Sequence, residues 1–261
     1  MSAPDAVNTP TRFVELVEGV CVATSRWFET TTTVLLDGAG GAVVVDPAFL
    51  PDELTAIPAD LQAMGVRCIG GLATHEHYDH VLWHADLGDV PRWSSVTTVQ
   101  HLETERERLL APLSEHLTPD LIDVAGRLVA LPGAVLPWDG PTAECIEHDA
   151  HAPGHLALWL PASGVLVAGD MLSDVELPMP TDDETLENYA AGLERLRPAI
   201  ESAAWLIPGH GSPTSTPLLR YDADMRYLAD VMAGRASHDL RTLDPANHDL
   251  NVRNMQRARL A

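Results

Sequence analysis

Six consecutive residues constrain this chain more than any other feature. His75-Glu76-His77-Tyr78-Asp79-His80 follows directly on the run 66–73, whose end is apolar and which reads as a buried strand. Side chains alternate in an extended segment, so His75 and His77 share a side and two imidazoles there can bind one ion. Asp79 and His80 come where the chain turns toward a helix, and they aim at a neighbouring position. Four potential metal ligands in six positions suit two metal ions rather than one. Imidazole and carboxylate donors without a thiolate suit zinc, and they also suit iron or manganese.

The rest of the chain supplies further donors at the ends of expected strands, where sites on α/β scaffolds collect. His155 stands in Ala152-Pro153-Gly154-His155, Asp170 closes the apolar run 165–170, and His210 lies in Pro208-Gly209-His210-Gly211. Strands are expected over 12–24, 30–36, 42–45 and 66–73, with a helix from Pro51 to about 64 between the last two. A strand over 94–100 and a charged helix over 102–115 follow, and 118–142 carry no clear period. Strands over 144–149, 156–160 and 165–168 precede a helix that starts at Asp183 or Glu184 and runs to about 201. A short strand at 205–207 and an amphipathic helix over 216–232 complete the pattern, leaving 235–261 as a polar tail that packs as a helix or frays. Two mixed β-sheets, each followed by helices, predict an α/β sandwich. The 261 residues read as a single domain, 1–261, with its core at about 12–234.

These pieces together resemble the metallo-β-lactamase fold superfamily over roughly residues 12–215. The matching segments are Val45-Asp46-Pro47, the HEHYDH loop, Pro153-Gly154-His155, Ala168-Gly169-Asp170 and Pro208-Gly209-His210-Gly211, in the family's order. The resemblance implies a four-layer αβ/βα sandwich with its metal site in the cleft between the sheets. By position it gives His75, His77 and His155 to a first metal and Asp79, His80 and His210 to a second, with Asp170 bridging. Asp46 corresponds to the residue that orients the histidine loop through hydrogen bonds. Two divalent ions sharing a hydroxide imply a dinuclear hydrolase, with Asp79 also placed for general acid/base work.

Composition narrows the substrate. Acidic residues number 38 and basic residues 16, every one of the latter arginine, for a net charge of -22. Phosphate neutralisation needs a basic face, so neither nucleic acid nor an anionic membrane is an expected partner. The local enrichments, Arg106 with Arg108 and Arg253, Arg257 and Arg259 in the tail, read as solvated helix faces. The absence of lysine also removes half of the basic grip with which glyoxalase II enzymes hold glutathione. Where the lactonase branch has a tyrosine three residues beyond the bridging aspartate, this chain has Ser173. True β-lactamases with this loop generally lack the bridging aspartate, so antibiotic hydrolysis is not the expected main activity. What remains is a small ester, thioester or lactone, with Trp27, Phe28, Trp83, Met171 and Met179 as candidate pocket residues.

Two readings from other classes stay open: a persulfide dioxygenase with one iron, and a metal-binding protein without catalysis. His84, His148 and His151 carry no assigned role. Cys21, Cys68 and Cys145 form no close pair and read as reduced thiols of a cytoplasmic protein. The segment MSAPDAVNTPTR lacks a basic start followed by an apolar run, so no secretory leader is expected. Self-association into a homo-oligomer is left open.

Overall fold

Alternation along the strands sorts the apolar side chains into three packed interfaces. The computed structural model describes residues 11–181 and 185–260. Most of the segment read for a leader, and the helix start expected at Asp183 or Glu184, lie outside the described residues. Strands β1 (Val14–Val17), β2 (Val20–Thr24), β3 (Thr31–Leu36) and β4 (Gly41–Val45) form an antiparallel meander. Helix α1 (Pro51–Ala63) returns the chain to β5 (Arg67–Leu72), parallel to β4. Strand β6 (Arg92–Ser94), helices α2 (Val96–Leu110) and α3 (Pro119–Val124) and strand β7 (Val129–Ala130) complete a seven-stranded sheet in sequential order.

The second sheet has four strands. β8 (Glu144–Glu147), β9 (Leu156–Leu160) and β10 (Val165–Gly169) pair antiparallel, helix α4 (Leu186–Ser202) crosses over, and β11 (Trp205–Pro208) pairs parallel with β10. Helices α5 (Pro217–Met232) and α6 (His248–Leu260) follow. Val43, Val45 and Leu35 of the first sheet meet Leu158, Val165 and Val167 of the second in the central layer. Their neighbours Val34, Ala42 and Val44 point outward onto Leu54, Ile57 and Leu61 of α1. Leu166 and Ala168 likewise point outward, onto Leu193, Leu196 and Leu228 of α4 and α5. The alternation thus packs four layers as an αβ/βα sandwich, and burying each of these valine, leucine and isoleucine side chains contributes about 1.5–3 kcal/mol.

Two expectations need correction, and the alternative left open for the tail is decided. The strand expected over 12–24 is a hairpin, because Gly19 at φ 77° turns the chain between β1 and β2. Residues 94–100 are mostly helix rather than strand: Ser95 Oγ accepts the Thr98 amide at 3.0 Å and caps α2, which outweighs the β-branched content of 96–99. The polar tail does not fray. Leu250 and Asn254 are buried, and α6 packs against α4 and α5.

Candidate metal centre

The carboxyl ends of the parallel strands β4 and β5, and of β10 and β11, open at the same end of the sandwich, and every chemistry-bearing segment leaves from there. Two contacts fasten the sheets together at this end: the Thr31 amide donates to Gly209 O at 2.8 Å, and the Leu156 amide to Thr74 O at 3.0 Å. β4 ends before Asp46, β5 runs toward His75–His80, β10 ends before Asp170 and β11 before His210. The packing is close enough that Gly209 has no room for a side chain, since a Cβ would strike the Asp170 carboxylate.

Among the described residues, two groups of donor atoms converge: His75, His77, His151 and Asp170, and beside them Asp79, His80 and His210. Asp170 stands between the two. Its Oδ2 lies 3.4 Å from His75 Nε2, 3.3 Å from His151 Nε2 and 3.4 Å from His210 Nε2, while Oδ1 is 3.0 Å from His80 Nε2. In the second group His210 Nε2 is 3.3 Å from Asp79 Oδ2 and 3.4 Å from His80 Nε2. The rings are held from behind. Nδ1 meets Thr74 Oγ1 in His75 (3.0 Å), Asp46 Oδ2 in His80 (3.0 Å), Met179 O in His151 (2.7 Å) and Phe28 O in His210 (2.8 Å). These partners leave four Nε2 atoms facing the cleft, whereas His77 presents Nδ1, 2.9 Å from His151 Nε2.

This donor set fits metal ions. His75 Nε2 is buried with no hydrogen-bond partner, a costly arrangement for an imidazole unless a cation binds it. Burial holds His75 well below the usual histidine range and His77 down to about 3, so both rings are neutral and offer lone pairs. Burial acts the same way on His80 and His210, but Asp170, joined by Asp79 and, at His80, by Asp46, outweighs it and holds both rings charged. Asp170 and Asp79 are in turn kept ionised against burial, chiefly by His80 and also by His210. The second group is thus a place where the chain demands positive charge.

The structure brings six of the seven expected ligand residues together, and His155 is the exception. Its Nε2 accepts the Asp170 amide at 3.2 Å, and its ring packs edge-on against His148 and His75 at 4.5 and 4.7 Å. His151 takes the expected place. Asp149, at φ 53°, accepts the Gly154 amide at 2.7 Å and closes a turn that carries His151 at its crest. The sequence signal was present in the crowded segment 148–155, but choosing between the two histidines needs Met179, 28 residues away.

Of the candidate pocket residues, Trp27 and Phe28 are 43% and 46% exposed and stack near Phe49 beside His210. Met179 lines a cavity adjoining His77 and His151. Trp83 and Met171 do not belong there. Trp83 is 4% exposed, packs against Gly71 and stacks under Arg92. Met171 is wholly buried in the layer beneath α4. His84 caps a short 3-10 turn through the Asp86 amide. The three thiols are unpaired, and burial pushes Cys21 up to about 11, which rules it out as a ready nucleophile.

Comparison with known proteins agrees with this architecture. A family model described as the metallo-beta-lactamase superfamily matches residues 26–228. A metallo-beta-lactamase type 2 of Bacteroides fragilis is 25% identical over 148 residues, 53% of this chain and 54% of that protein, so the chain spans about half the length of this curated relative. A metallo-beta-lactamase family protein from Thermus thermophilus superposes with a TM-score of 0.62 at 21% identity, over 84% of this chain and 82% of its own. A stereoselective inverting sec-alkylsulfatase from Pseudomonas sp. superposes with a TM-score of 0.65 at 15% identity, over 85% of this chain and 42% of its own. At these identities the two solved structures speak to the fold alone. No described helix is long and apolar enough to cross a membrane.

Proposed function

The chain belongs to the metallo-beta-lactamase superfamily of metal-dependent hydrolases, and from that premise we propose that it hydrolyses a small ester, thioester or lactone at a centre of two divalent ions. One observation carries the proposal: a single carboxylate, Asp170, stands within 3.4 Å of imidazole nitrogens from both donor groups. His75, His77 and His151 would hold one ion, and Asp79, His80 and His210 the other, with Asp170 shared. Zinc is the ion best matched to these donors. Such ions lower the pKa of water toward about 7 and polarise a carbonyl oxygen, so no protein nucleophile is needed.

The chain's own residues do the rest. Asp79, held ionised by His80 and His210, is the group positioned to take a proton at the reacting oxygen and return it to the leaving group. Thr74, Asp46, Met179 O and Phe28 O fix the ring orientations before substrate arrives. Trp27 and Phe28 offer an apolar surface to the substrate beside His210. A complete second group favours this reading over a one-iron dioxygenase, because Asp79 and His210 would have no ligand role there. The three unpaired thiols fit a reducing cytoplasm, and the whole chain is taken as one domain.

Elemental analysis of the reconstituted protein is expected to give two ions per chain, and at most one would sink the dinuclear centre. On the same preparation, a panel of acyl thioesters, lactones and phosphodiesters is expected to show turnover of the carboxylic substrates that chelation abolishes. Full metal loading with no turnover would mark a binding protein, and oxygen consumption with one iron would mark the dioxygenase.

A further inference from the structure

On the His77 and His151 side the metal centre continues into a cavity of about 370 Å³. Among the described residues that line it are three arginines, Arg108 from α2 and Arg253 and Arg257 from α6, and one acidic residue, Glu76. That carboxylate is already engaged by His101 Nδ1 at 2.6 Å. In a chain of 38 acidic and 16 basic residues, arginines outnumber acidic residues among the described residues of this lining. Arg108 and Arg253 are exposed, as expected of solvated helix faces, and together with Arg257 they also line one concave space. Arg106 is different: it binds the carbonyls of Ile122, Asp123 and Ala125.

The wall is registered on the metal centre by shared backbone. Asn254 Nδ2 donates to Pro178 O at 2.7 Å, and Arg257 donates to the carbonyls of Pro180 and Thr181 at 2.7 and 3.0 Å. Met179, inside that segment, is the residue whose carbonyl fixes His151 Nδ1. Arg253 is four residues before Arg257, so both project from one face of α6. Arg108 meets Glu105 through Nε at 2.6 Å, and a guanidinium has five donors, more than one carboxylate takes up. Helix α6 also lies beyond residues 26–228, so the metal donors sit inside the family-matched region and most of the cationic wall sits outside it.

We propose that this cavity selects the substrate: it receives a remote oxyanion, a carboxylate, on the ester, thioester or lactone whose carbonyl reaches the metal centre. Arg108 and Arg253 bind that group through charge-assisted hydrogen bonds, and Arg257 holds the wall in place. The inference rests on the hydrolase reading for the reaction but not for binding, and the two are tested separately.

Binding is read by calorimetric titration of the zinc-loaded protein with glutarate and with glutaramide, its uncharged isostere. Glutarate is expected to bind about tenfold or more tighter, the scale of one charge-assisted hydrogen bond. Arg108→Gln combined with Arg253→Gln is expected to erase that advantage while metal content and circular dichroism stay as in the parent. Glutarate binding that is absent, or equal in the double variant, overturns the proposal. Turnover is read with the S-ethyl thioester of glutaric acid and its ω-methyl ester. The free acid is expected to have about tenfold or more higher kcat/KM, and the ratio to fall toward one in the double variant. If neither thioester turns over but glutarate binding depends on the arginines, the hydrolase reading falls and the anion site stands. Equal turnover of the pair, insensitive to the arginines, overturns the anion site and leaves the hydrolase reading intact.

Discussion

The two donor groups that share Asp170 differ in what surrounds their imidazoles. Among the described residues, the donor group of His75, His77 and His151 includes one carboxylate, Asp170, and burial leaves His75 and His77 as neutral rings. Around His80 and His210 stand Asp79 and Asp170, with Asp46 on the far side of His80 and Glu176 at 4.0 Å from His210 Nδ1. There the carboxylates outweigh burial and hold both rings charged. The first group therefore presents lone pairs that are ready for an ion, while the second presents protons that an ion must displace. One fold end has built a site of pre-formed donors beside a site of pre-formed negative charge.

Removing a donor from the first group is the strongest way to break this contrast. His151→Ala is expected to cost one ion per chain and to lower turnover by more than about a hundredfold, beyond what outer partners of metal ligands usually cost. His155→Ala leaves the donor set intact and strips the Asp170 amide of its acceptor, an unsatisfied buried donor costing about 1–3 kcal/mol of stability. It should retain two ions and unfold at lower urea. Metal analysis beside urea denaturation separates the two variants, and loss of an ion from His155→Ala would return that residue to the ligand set.

The protonation difference is the next largest effect. Displacing a proton from each of His80 and His210 should weaken the second ion by up to about ten-thousandfold between pH 8 and pH 6, tenfold per proton per pH unit. His75 and His77 release no proton over that range, so the first ion should weaken far less. Competition titrations with a chromophoric chelator measure both affinities. The stripped protein carries the opposite sign: raised pKa values at His80 and His210 contribute stability that is complete below about pH 6.5 and lost as pH climbs through the raised values. Equal pH slopes for the two ions would erase the distinction between the groups.

How much of this was legible in the sequence depends on how local each feature is. His75 to His80 are neighbours in the chain, and Asp170 and His210 close apolar runs, so the strand pattern placed them at strand ends and the family resemblance implied their convergence. The order of strands and helices led only to an α/β sandwich, and the four layers came with the family resemblance; the structure shows the reason, since alternate residues of runs such as 42–45 and 165–168 feed two different layers. His151 was not separable from His155, because the choice is made by the Asp149 turn and a carbonyl from a distant loop. Trp83 and Met171 are apolar residues beside donors, and only packing shows that they face away from the cleft. The arginine wall was hidden for a similar reason: a charged helix face reads as solvated until a second helix is seen to share its cavity.

Asp46 offers the finest test of the contrast. It sits at φ 48°, a left-handed conformation that aspartate and asparagine tolerate better than other residues with a Cβ, so Asp46→Asn should preserve the backbone. Its Oδ1 accepts the Thr74 amide and its Oδ2 the Thr74 hydroxyl, each at 2.8 Å, while Oδ2 also lies 3.0 Å from His80 Nδ1. An asparagine side chain keeps one acceptor and turns the other into a donor, which faces His80 Nδ1 or the Thr74 amide without an acceptor to offer. Affinity for the second ion is therefore expected to fall about 10–100-fold, the usual cost of losing an outer partner, with the first ion held as before. Thr74 Oγ1 also touches His75 Nδ1 at 3.0 Å, so a different result has a definite meaning. If both ions weaken equally in competition titrations, Asp46 acts through Thr74 on the whole histidine loop rather than on the second group alone.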